Sequence, residues 1–343
     1  MKKISCIVEY FNSPHLSQIY KGFQILEKKG VIDLKFIKKT GSLNKPITSV
    51  WINNDIHIIY DTLDGFNWID NKSTEENLLF FQNNYHCDHY FKRSYNSNLL
   101  NYNYASQRTI HALEFNYDMS YEYVSLDIKR LMKDTVRKYL PFYDTSINYK
   151  DFEYYPNKNK QSKILFSARL WDPEDVRHEE TQLEREIINS NRINYIRECK
   201  KEFGSIFTGG LKDSELSRKL AKDLIIPNKK TSKLSYVKSV KEHDICISTL
   251  GLHKSNGWKF GEYIAASRAI ISEPLFFTSQ NFIEGKNYLE ASSTDALISN
   301  IYKVIDNPDY KYEMMLNNFK YYNQHLRPDM LILNSLIKVI NNS

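Results

Sequence analysis

Short apolar runs alternate with helically spaced stretches along this chain, and the two together predict an order of elements. Lys3–Glu9 is a continuous apolar strand that runs into a loop, Tyr10-Phe11-Asn12-Ser13-Pro14. From His15 to Lys29 the apolar positions Leu16, Ile19, Tyr20, Phe23 and Leu26 fall on one helical face, and Gly30 stops the helix. Val31–Ile37 is a second strand, and Ile56–Tyr60 is a third, closed by Asp61-Thr62-Leu63-Asp64-Gly65. Glu75–Asn84 is helical and His89–Lys92 a short strand. This β-α-β order predicts a parallel sheet with helices on its faces. Tyr121–Tyr139 is expected to contain a helix, with Val136–Tyr139 leading to Pro141. Asn148–Gln161 is polar, rich in Lys, Asn and Tyr, and reads as a connection between domains.

A second α/β series follows. Lys163–Ala168 is a strand. Glu179–Lys201 is a charged helix whose expected apolar face is Leu183, Ile187, Ile188, Ile193 and Ile196. Ser205–Thr208 is a strand closed by Gly209-Gly210. Helices are expected at Leu216–Leu224 and Tyr236–Lys241, strands at Ile245–Thr249 and Ala269–Ser272, and helices at Asp295–Ile305, Tyr312–Gln324 and Leu331–Ile340. The fold class is therefore α/β, as two Rossmann-like units in series. The expected boundaries are 1–155, 156–327 and a closing helix in 328–343.

Composition narrows the class. A length of 343 residues suits two domains or one large one, and 41% hydrophobic content is enough for sizeable cores. No apolar run approaches the ~18 residues of a membrane span. Met1-Lys2-Lys3 and Ile4–Val8 run straight into Glu9, too short a stretch for a signal peptide, so a cytoplasmic location is expected. The four cysteines lack C-x-x-C spacing. Cys6 and Cys246 fall inside strands as packed thiols. Cys87-Asp88-His89 has ligand chemistry, but its side chains diverge on a strand, so no metal is expected. The net charge of +6 is mild and spread, with small clusters at Lys158–Lys163 and Lys229–Lys241. Nucleic acid is not an expected partner. The basic positions suit anionic phosphates or the anionic inner leaflet of a membrane, as peripheral contact; a plain solvated surface is the alternative. The 25 Tyr and 18 Phe offer stacking faces for sugars, but AT-rich codon usage accounts for that total.

The chemistry concentrates in Ser248–Pro274. Its strand leads into a loop holding Gly251, Gly257 and Gly261, with His253, Lys254 and Lys259 between and beside them. A helix is expected from Phe260 to Ser267. Glycines let backbone N–H groups approach an anion, and a helix N-terminus presents unsatisfied donors to it. Glu262 is placed in the first helical turn, where a carboxylate can accept from vicinal hydroxyls. Amides for phosphate beside a carboxylate for hydroxyls suit a nucleoside diphosphate. An ordinary strand–loop–helix is the plainer reading. Arg169 follows the first strand of the second unit and is aimed at the crevice beyond the strand ends, where its fixed fork suits phosphate. The alternative is a structural pair with Asp172 or Glu174. His253 is a candidate for the phosphates or sugar, and Thr208 for the base; loop histidines and strand-end turns are common without such roles.

Lys259-Phe260-Gly261-Glu262-Tyr263-Ile264-Ala265-Ala266-Ser267-Arg268-Ala269-Ile270-Ile271 resembles the donor-site segment of GT-B glycosyltransferases, especially the family 4-like enzymes with a glycosyltransferase family 1 type donor domain. The chain departs from the pattern at Lys254, where the first Glu of the E-x7-E pair would fall. Ser167-Ala168-Arg169-Leu170-Trp171 is similar to the family's Gly-Arg-Leu position, although Asp172-Pro173-Glu174 stands where a Lys usually follows, passing that role to Lys259. The resemblance implies two domains facing across a cleft, a final helix crossing back to the first, Glu262 on the donor ribose and Arg169 on the diphosphate. It implies sugar transfer from a nucleotide-sugar to a glycan or lipid-linked glycan acceptor, in surface polysaccharide biosynthesis, with retention, without cofactor or metal. An epimerase acting on the same donors and a non-catalytic nucleotide- or glycan-binding protein are the alternatives. A general base, if one is needed, would come from strand ends of the first unit. Asp64, His15, Glu9 and Asp61 qualify by type there, with Tyr10, Asn12 and Arg93-Ser94 nearby. Taken alone, each reads more readily as a turn residue or helix cap.

Overall fold

The computed structural model describes residues 3–39, 45–102, 108–122, 124, 147–159, 161–227, 232–277 and 279–341. The expected helix within Tyr121–Tyr139 lies for the most part outside them. The chain divides into two compact units. One comprises Met1–Tyr149, Thr278–Gln280 and Asn323–Ser343; the other comprises Lys150–Phe277 and Asn281–Tyr322. Each is built on its own sheet, so the α/β class expected from the sequence is what the structure shows.

The first unit carries six strands: β1 Ile4–Tyr10, β2 Ile32–Lys38, β3 Ile47–Ile52, β4 Ile56–Asp61, β5 His89–Lys92 and β6 Thr109–Ala112, in the order β2-β1-β3-β4-β5-β6. The expectation of a parallel sheet is corrected here. β3 runs antiparallel to both β1 and β4, so the sheet is mixed. β3 and β4 form a hairpin whose turn residues Asn53 and Asn54 both take left-handed backbone, at φ 54° and 62°. Two left-handed residues match the twist of paired strands, and asparagine tolerates that region better than most residues.

The helix Ser17–Lys28 covers one face of this sheet with Ile19, Tyr20, Phe23 and Leu26. The closing helix, Pro328–Asn341, packs beside it through Leu331, Ile332, Leu336 and Val339, all in the same cluster. The two approach closely at Gly22, where a Cβ would stand 2.3 Å from the Pro328 carbonyl oxygen and 2.5 Å from a side-chain carbon of Ile332. Gln18 Nε2 donates to the Leu326 carbonyl (2.8 Å) and Lys29 pairs with the buried Asp329 (2.6 Å), fixing the helix pair further.

The second unit is an all-parallel sheet of β7 Ile164–Ala168, β8 Phe207–Leu211, β9 Ile245–Ser248, β10 Ala269–Ser272 and β11 Tyr288–Glu290, ordered β11-β10-β9-β7-β8. Ile164, Phe166, Ile245, Ile247, Ala269 and Ile271 supply one face of its core. Against them pack Ile193, Ile196 and Cys199 of the helix Glu179–Phe203, and Leu297, Ile301 and Val304 of the helix Thr294–Asp306. The expected apolar face of Glu179–Phe203 is half corrected. Ile188, Ile193 and Ile196 are buried, but Leu183 and Ile187 are 55% and 54% exposed. The first turns of this 25-residue helix lie against loops instead of strands, and there the inward face is polar: Arg185, Asn189 and Arg192.

Two histidines of the first unit carry a stability consequence. His89 Nδ1 and His111 Nε2 lie 3.0 Å apart on stacked, buried rings. Burial, then Lys338 and His89, lower the pKa of His111 to about 4. Burial and Arg93 lower that of His15 to about 4 as well. Both are neutral when folded at neutral pH, whereas an unfolded histidine takes its proton near 6.5. Stability is therefore complete above about pH 7 and is lost as pH falls from about 6.5 towards about 4. At pH 5 the loss should be on the order of 1–2 kcal/mol for each histidine, measured as a lower urea midpoint than at pH 7. An unchanged midpoint would contradict the buried neutral assignment.

Candidate functional site

In an open parallel sheet, ligands bind beyond the carboxyl ends of the strands. At that edge of the second unit, Arg169 follows β7, Thr249 and Leu250 follow β9, and Glu273 follows β10. One buried guanidinium ties two of these ends together. Arg192 donates from Nε to Thr249 Oγ1 (3.0 Å), from Nη1 to the Arg169 carbonyl (2.7 Å) and from Nη2 to the Leu250 carbonyl (2.9 Å). Burial lowers its pKa to about 10, with Glu273 opposing the shift and Arg169 adding to it. Glu273 completes the frame, accepting from the Leu250 amide (2.7 Å) and from Asn191 Nδ2 (2.8 Å). Asn189 holds both backbone groups of Trp171, at 2.9 and 2.7 Å. Arg192 and its neighbours lie on a charged helix, Glu179–Phe203, whose sequence pattern shows an apolar stripe and does not mark which of its polar residues turn inward.

The helix after β9 is Trp258–Ala265, so it starts two residues ahead of the expected Phe260. Gly257 is its N-cap residue, in extended backbone. Three placements change with it. Lys259 is in the first turn instead of the loop. Gly261 is buried inside the helix and lines no loop. Glu262 is the fifth helical residue, past the first turn, so its carboxylate is held by a side chain instead of the helix start. The Tyr236 hydroxyl, from the helix Lys233–Glu242, donates to it at 2.7 Å, and Glu262 is buried.

Arg169 and Glu262 both lie near enough to Lys259 to act on its charge. The Lys259 ammonium is lowered to about 8 by burial and by Arg192 and Arg169, with Glu262 acting in the opposite sense. It lies 5.9 Å from the centre of the Tyr236 ring. Arg169 is exposed, and its guanidinium stacks 3.7 Å from the Trp171 ring; the expected alternative, a pair with Asp172 or Glu174, does not form. Asp172 instead caps its own turn, accepting from the Glu174 amide at 3.0 Å. Three cations thus sense one another at a strand edge, beside one oriented carboxylate.

Two further candidates fall elsewhere. Thr208 is not at a strand end: β8 continues through Gly209-Gly210 to Leu211, leaving Thr208 exposed three residues short of the edge. His253 and Lys254 sit in a single turn, Leu252–Lys254, with left-handed backbone at φ 58° and 55°. Their amides are engaged by a carboxylate of the same unit, Glu184, at 2.9 Å each.

In the first unit the candidate bases separate. Asp61 is fully buried and accepts from Trp68 Nε1 (2.8 Å), Tyr90 Oη (2.5 Å), Lys92 Nζ (3.1 Å) and the Leu63 amide (2.8 Å). These four contacts tie it into the core of the unit. Asp64 is ion-paired with buried Arg93, whose other nitrogen donates to Asn116 Oδ1 (2.5 Å); Asn116 Nδ2 reaches the His15 carbonyl (3.1 Å). Asp64 and His15 therefore meet at Arg93. A histidine with a pKa of about 4 is a weak proton acceptor for a hydroxyl. Glu9 lies in β1 and acts on Lys39, whose ammonium binds the carbonyls of Lys45 (3.2 Å) and Ile47 (2.7 Å).

Among the described residues no group of three or more His, Cys, Asp or Glu is placed to hold a metal ion, and no helix is long and apolar enough to cross a membrane. No protein-family model matches the chain, and no curated protein matches it. Solved structures do. Anabaena HepE, crystallised with UDP and glucose, is 11% identical over 99% of this chain and 100% of its own, with a TM-score of 0.49. The C-terminal domain of the glycosyl transferase group 1 family protein LpcC from Francisella tularensis is 14% identical over 52% of this chain and 97% of its own, with a TM-score of 0.34. The chain spans 63% of the length of TarM and 46% of that of the GtfA/B chain. At these identities the likeness is distant, and the chemistry rests on the site itself.

Proposed function

We propose that the second unit binds the nucleoside diphosphate of a sugar donor, and that the protein transfers the sugar, a hexose or pentose, to a glycan or lipid-linked glycan acceptor. The observation that carries this reading is the convergence of Arg169, Lys259 and Arg192 at the carboxyl edge of a parallel sheet, with Glu262 oriented beside them. Arg169 and Lys259 face the diphosphate. Arg192 holds the loops that present them. Glu262 accepts from the ribose hydroxyls, sharing its carboxylate with Tyr236. As the sugar leaves, negative charge builds on the diphosphate, and fixed cations at a partly desolvated edge stabilise that charge more than they stabilise the bound donor. The first unit supplies the acceptor side. Of the candidate carboxylates there, Asp61 is held by four donors, Asp64 by Arg93, and Glu9 acts on Lys39.

The test is incubation with UDP-, GDP-, ADP- and CMP-linked sugars, following release of free nucleotide and the fate of the sugar. The reading expects nucleotide release from one donor class, faster with a glycan acceptor, and a thermal shift with that class's nucleotide. Conversion of the donor into its epimer would replace transfer by isomerisation. Binding of no nucleotide would overturn the reading.

A further inference from the structure

One side chain of the second unit touches both the cation and the carboxylate of the donor site. Tyr236 lies in the helix Lys233–Glu242, whose buried residues are Val237 and Val240. Its hydroxyl donates to Glu262 Oε2 at 2.7 Å, and its ring centre lies 5.9 Å from the Lys259 ammonium. Lys259 and Glu262 are spaced i, i+3 in the helix Trp258–Ala265, so they share one of its faces. The tyrosine is laid against that face, with its ring beside the cation and its hydroxyl on the carboxylate.

The other polar groups of the frame fix backbone. Arg192 binds the Arg169 and Leu250 carbonyls, Glu273 the Leu250 amide, and Asn189 both backbone groups of Trp171. Tyr236 instead fixes a side chain that is read as meeting the ligand. A glutamate side chain is rotamer-rich, and it meets vicinal hydroxyls well only when the plane of its carboxylate is set beforehand. The helix start cannot set it, because Glu262 is the fifth helical residue and the dipole acts within the first turn. A hydroxyl bonded to the charged oxygen at 2.7 Å can. Burial, then Glu262 itself, raise the Tyr236 pKa well above that of an ordinary phenol, so the hydroxyl keeps its proton and stays the donor.

We propose that Tyr236 is a positioning residue for the donor's ribose: by fixing the Glu262 carboxylate it sets a preference for a ribonucleotide over a 2′-deoxyribonucleotide. This rests on the donor-binding reading above and narrows its ligand from a nucleoside diphosphate to a ribonucleoside diphosphate. Tyr236 acts through Glu262. A carboxylate held in one plane accepts from both vicinal hydroxyls of a ribose, and a 2′-deoxyribose offers it only one. Sugar donors carried on a 2′-deoxynucleoside diphosphate are therefore disfavoured.

Tyr236→Phe keeps the ring and deletes the hydroxyl. It is compared with the wild type by calorimetric titration of three probes, after melting curves have shown both proteins folded. The probes are whichever of UDP, GDP, ADP and CMP the wild type binds, its 2′-deoxy counterpart, and inorganic pyrophosphate. The wild type should bind the ribonucleotide about tenfold more tightly than the deoxynucleotide, and Tyr236→Phe should retain only about a twofold to threefold preference. Pyrophosphate, which has no ribose, should bind both proteins alike. With the corresponding sugar donor, the variant should raise KM more than it lowers kcat, because the ribose contact is the same before and during transfer. In a Glu262→Ala background the same substitution should leave ribonucleotide affinity unchanged, since the group it acts through is gone. Should Tyr236→Phe not fold, Tyr236→Leu also lacks the hydroxyl and gives the same ribose comparison. No ribonucleotide preference in the wild type, an unaltered preference in the folded variant, or an equal loss of affinity for all three probes would overturn the role of Tyr236 and leave the donor reading intact. Failure of the wild type to bind any of the four nucleotides would overturn both.

Discussion

Asp61→Ala is expected to destabilise the first unit by about 3–5 kcal/mol, the range for stranding the partner of a buried ion pair. Asp61 and Lys92 are each 0% exposed, and they meet at 3.1 Å. Removing the carboxylate leaves the ammonium with the Leu63 carbonyl (2.9 Å) and the face of Trp68. It also leaves the Trp68 indole N–H and the Tyr90 hydroxyl without their acceptor in the core. Burial already lowers the Lys92 pKa, with Asp61 opposing that shift, so the variant's lysine is expected to give up its proton instead of remaining a lone buried cation. Urea unfolding followed by tryptophan fluorescence measures the effect, since Trp68 is in direct contact with Asp61. The double variant Asp61→Leu, Lys92→Met should recover much of the loss, because well-packed apolar pairs often match buried ion pairs. A loss below about 1 kcal/mol for Asp61→Ala would show that the network contributes little.

Lys259→Met should weaken nucleoside diphosphate binding by about tenfold to a hundredfold, the value of a charge-assisted contact of 1.5–3 kcal/mol. It should lower kcat as well, because the cation matters more as charge builds on the leaving group. Arg169→Met should behave alike, and Arg169→Lys should rescue only part if the guanidinium makes a two-pronged contact. The depressed pKa of Lys259, about 8, gives an independent signature. The protonated form attracts the ligand, so affinity is full below about pH 7 and falls roughly tenfold by pH 9 as the free protein's ammonium titrates. That fall should vanish in Lys259→Met. A wild-type affinity that is flat from pH 7 to 9, or a Met variant with normal turnover, would remove Lys259 from the site.

Buried parallel strands read as continuous apolar runs, which is why β1, β4, β7, β9 and β10 were legible within a residue or two. The hairpin strand β3 was not. Ile47-Thr48-Ser49-Val50-Trp51-Ile52 mixes polar and apolar residues on both faces, and its turn is Asn53-Asn54, without the glycine that marks most such turns. The helix Trp258–Ala265 is legible as an element but starts two residues ahead of the expected Phe260, since the chain enters it from Gly257 and no side-chain cap marks that start. Arg169, Lys259 and Glu262 were found as types at strand ends and loop ends. What joins them was not legible. Tyr236 reaches Glu262 across 26 residues, Arg192 reaches Thr249 across 57, and Glu184 reaches His253 across 69. Such contacts are set by how helices pack on the sheet, and hydrophobic periodicity carries no record of them. The same holds for Asp61. As a type it qualifies for proton transfer, and its burial among four donors is not visible in the sequence.

The central claim, a nucleoside diphosphate site at the carboxyl edge of the second sheet, is tested most directly by calorimetry on wild type and Glu262→Ala with UDP, GDP, ADP and CMP. Glu262 is buried and bonded to Tyr236, so the variant's fold is checked first by its melting curve. The account predicts that the wild type prefers one of these nucleotides, and that folded Glu262→Ala binds it about tenfold to a hundredfold more weakly. Equal affinity in the two proteins, or no binding of any of the four by the wild type, would contradict it.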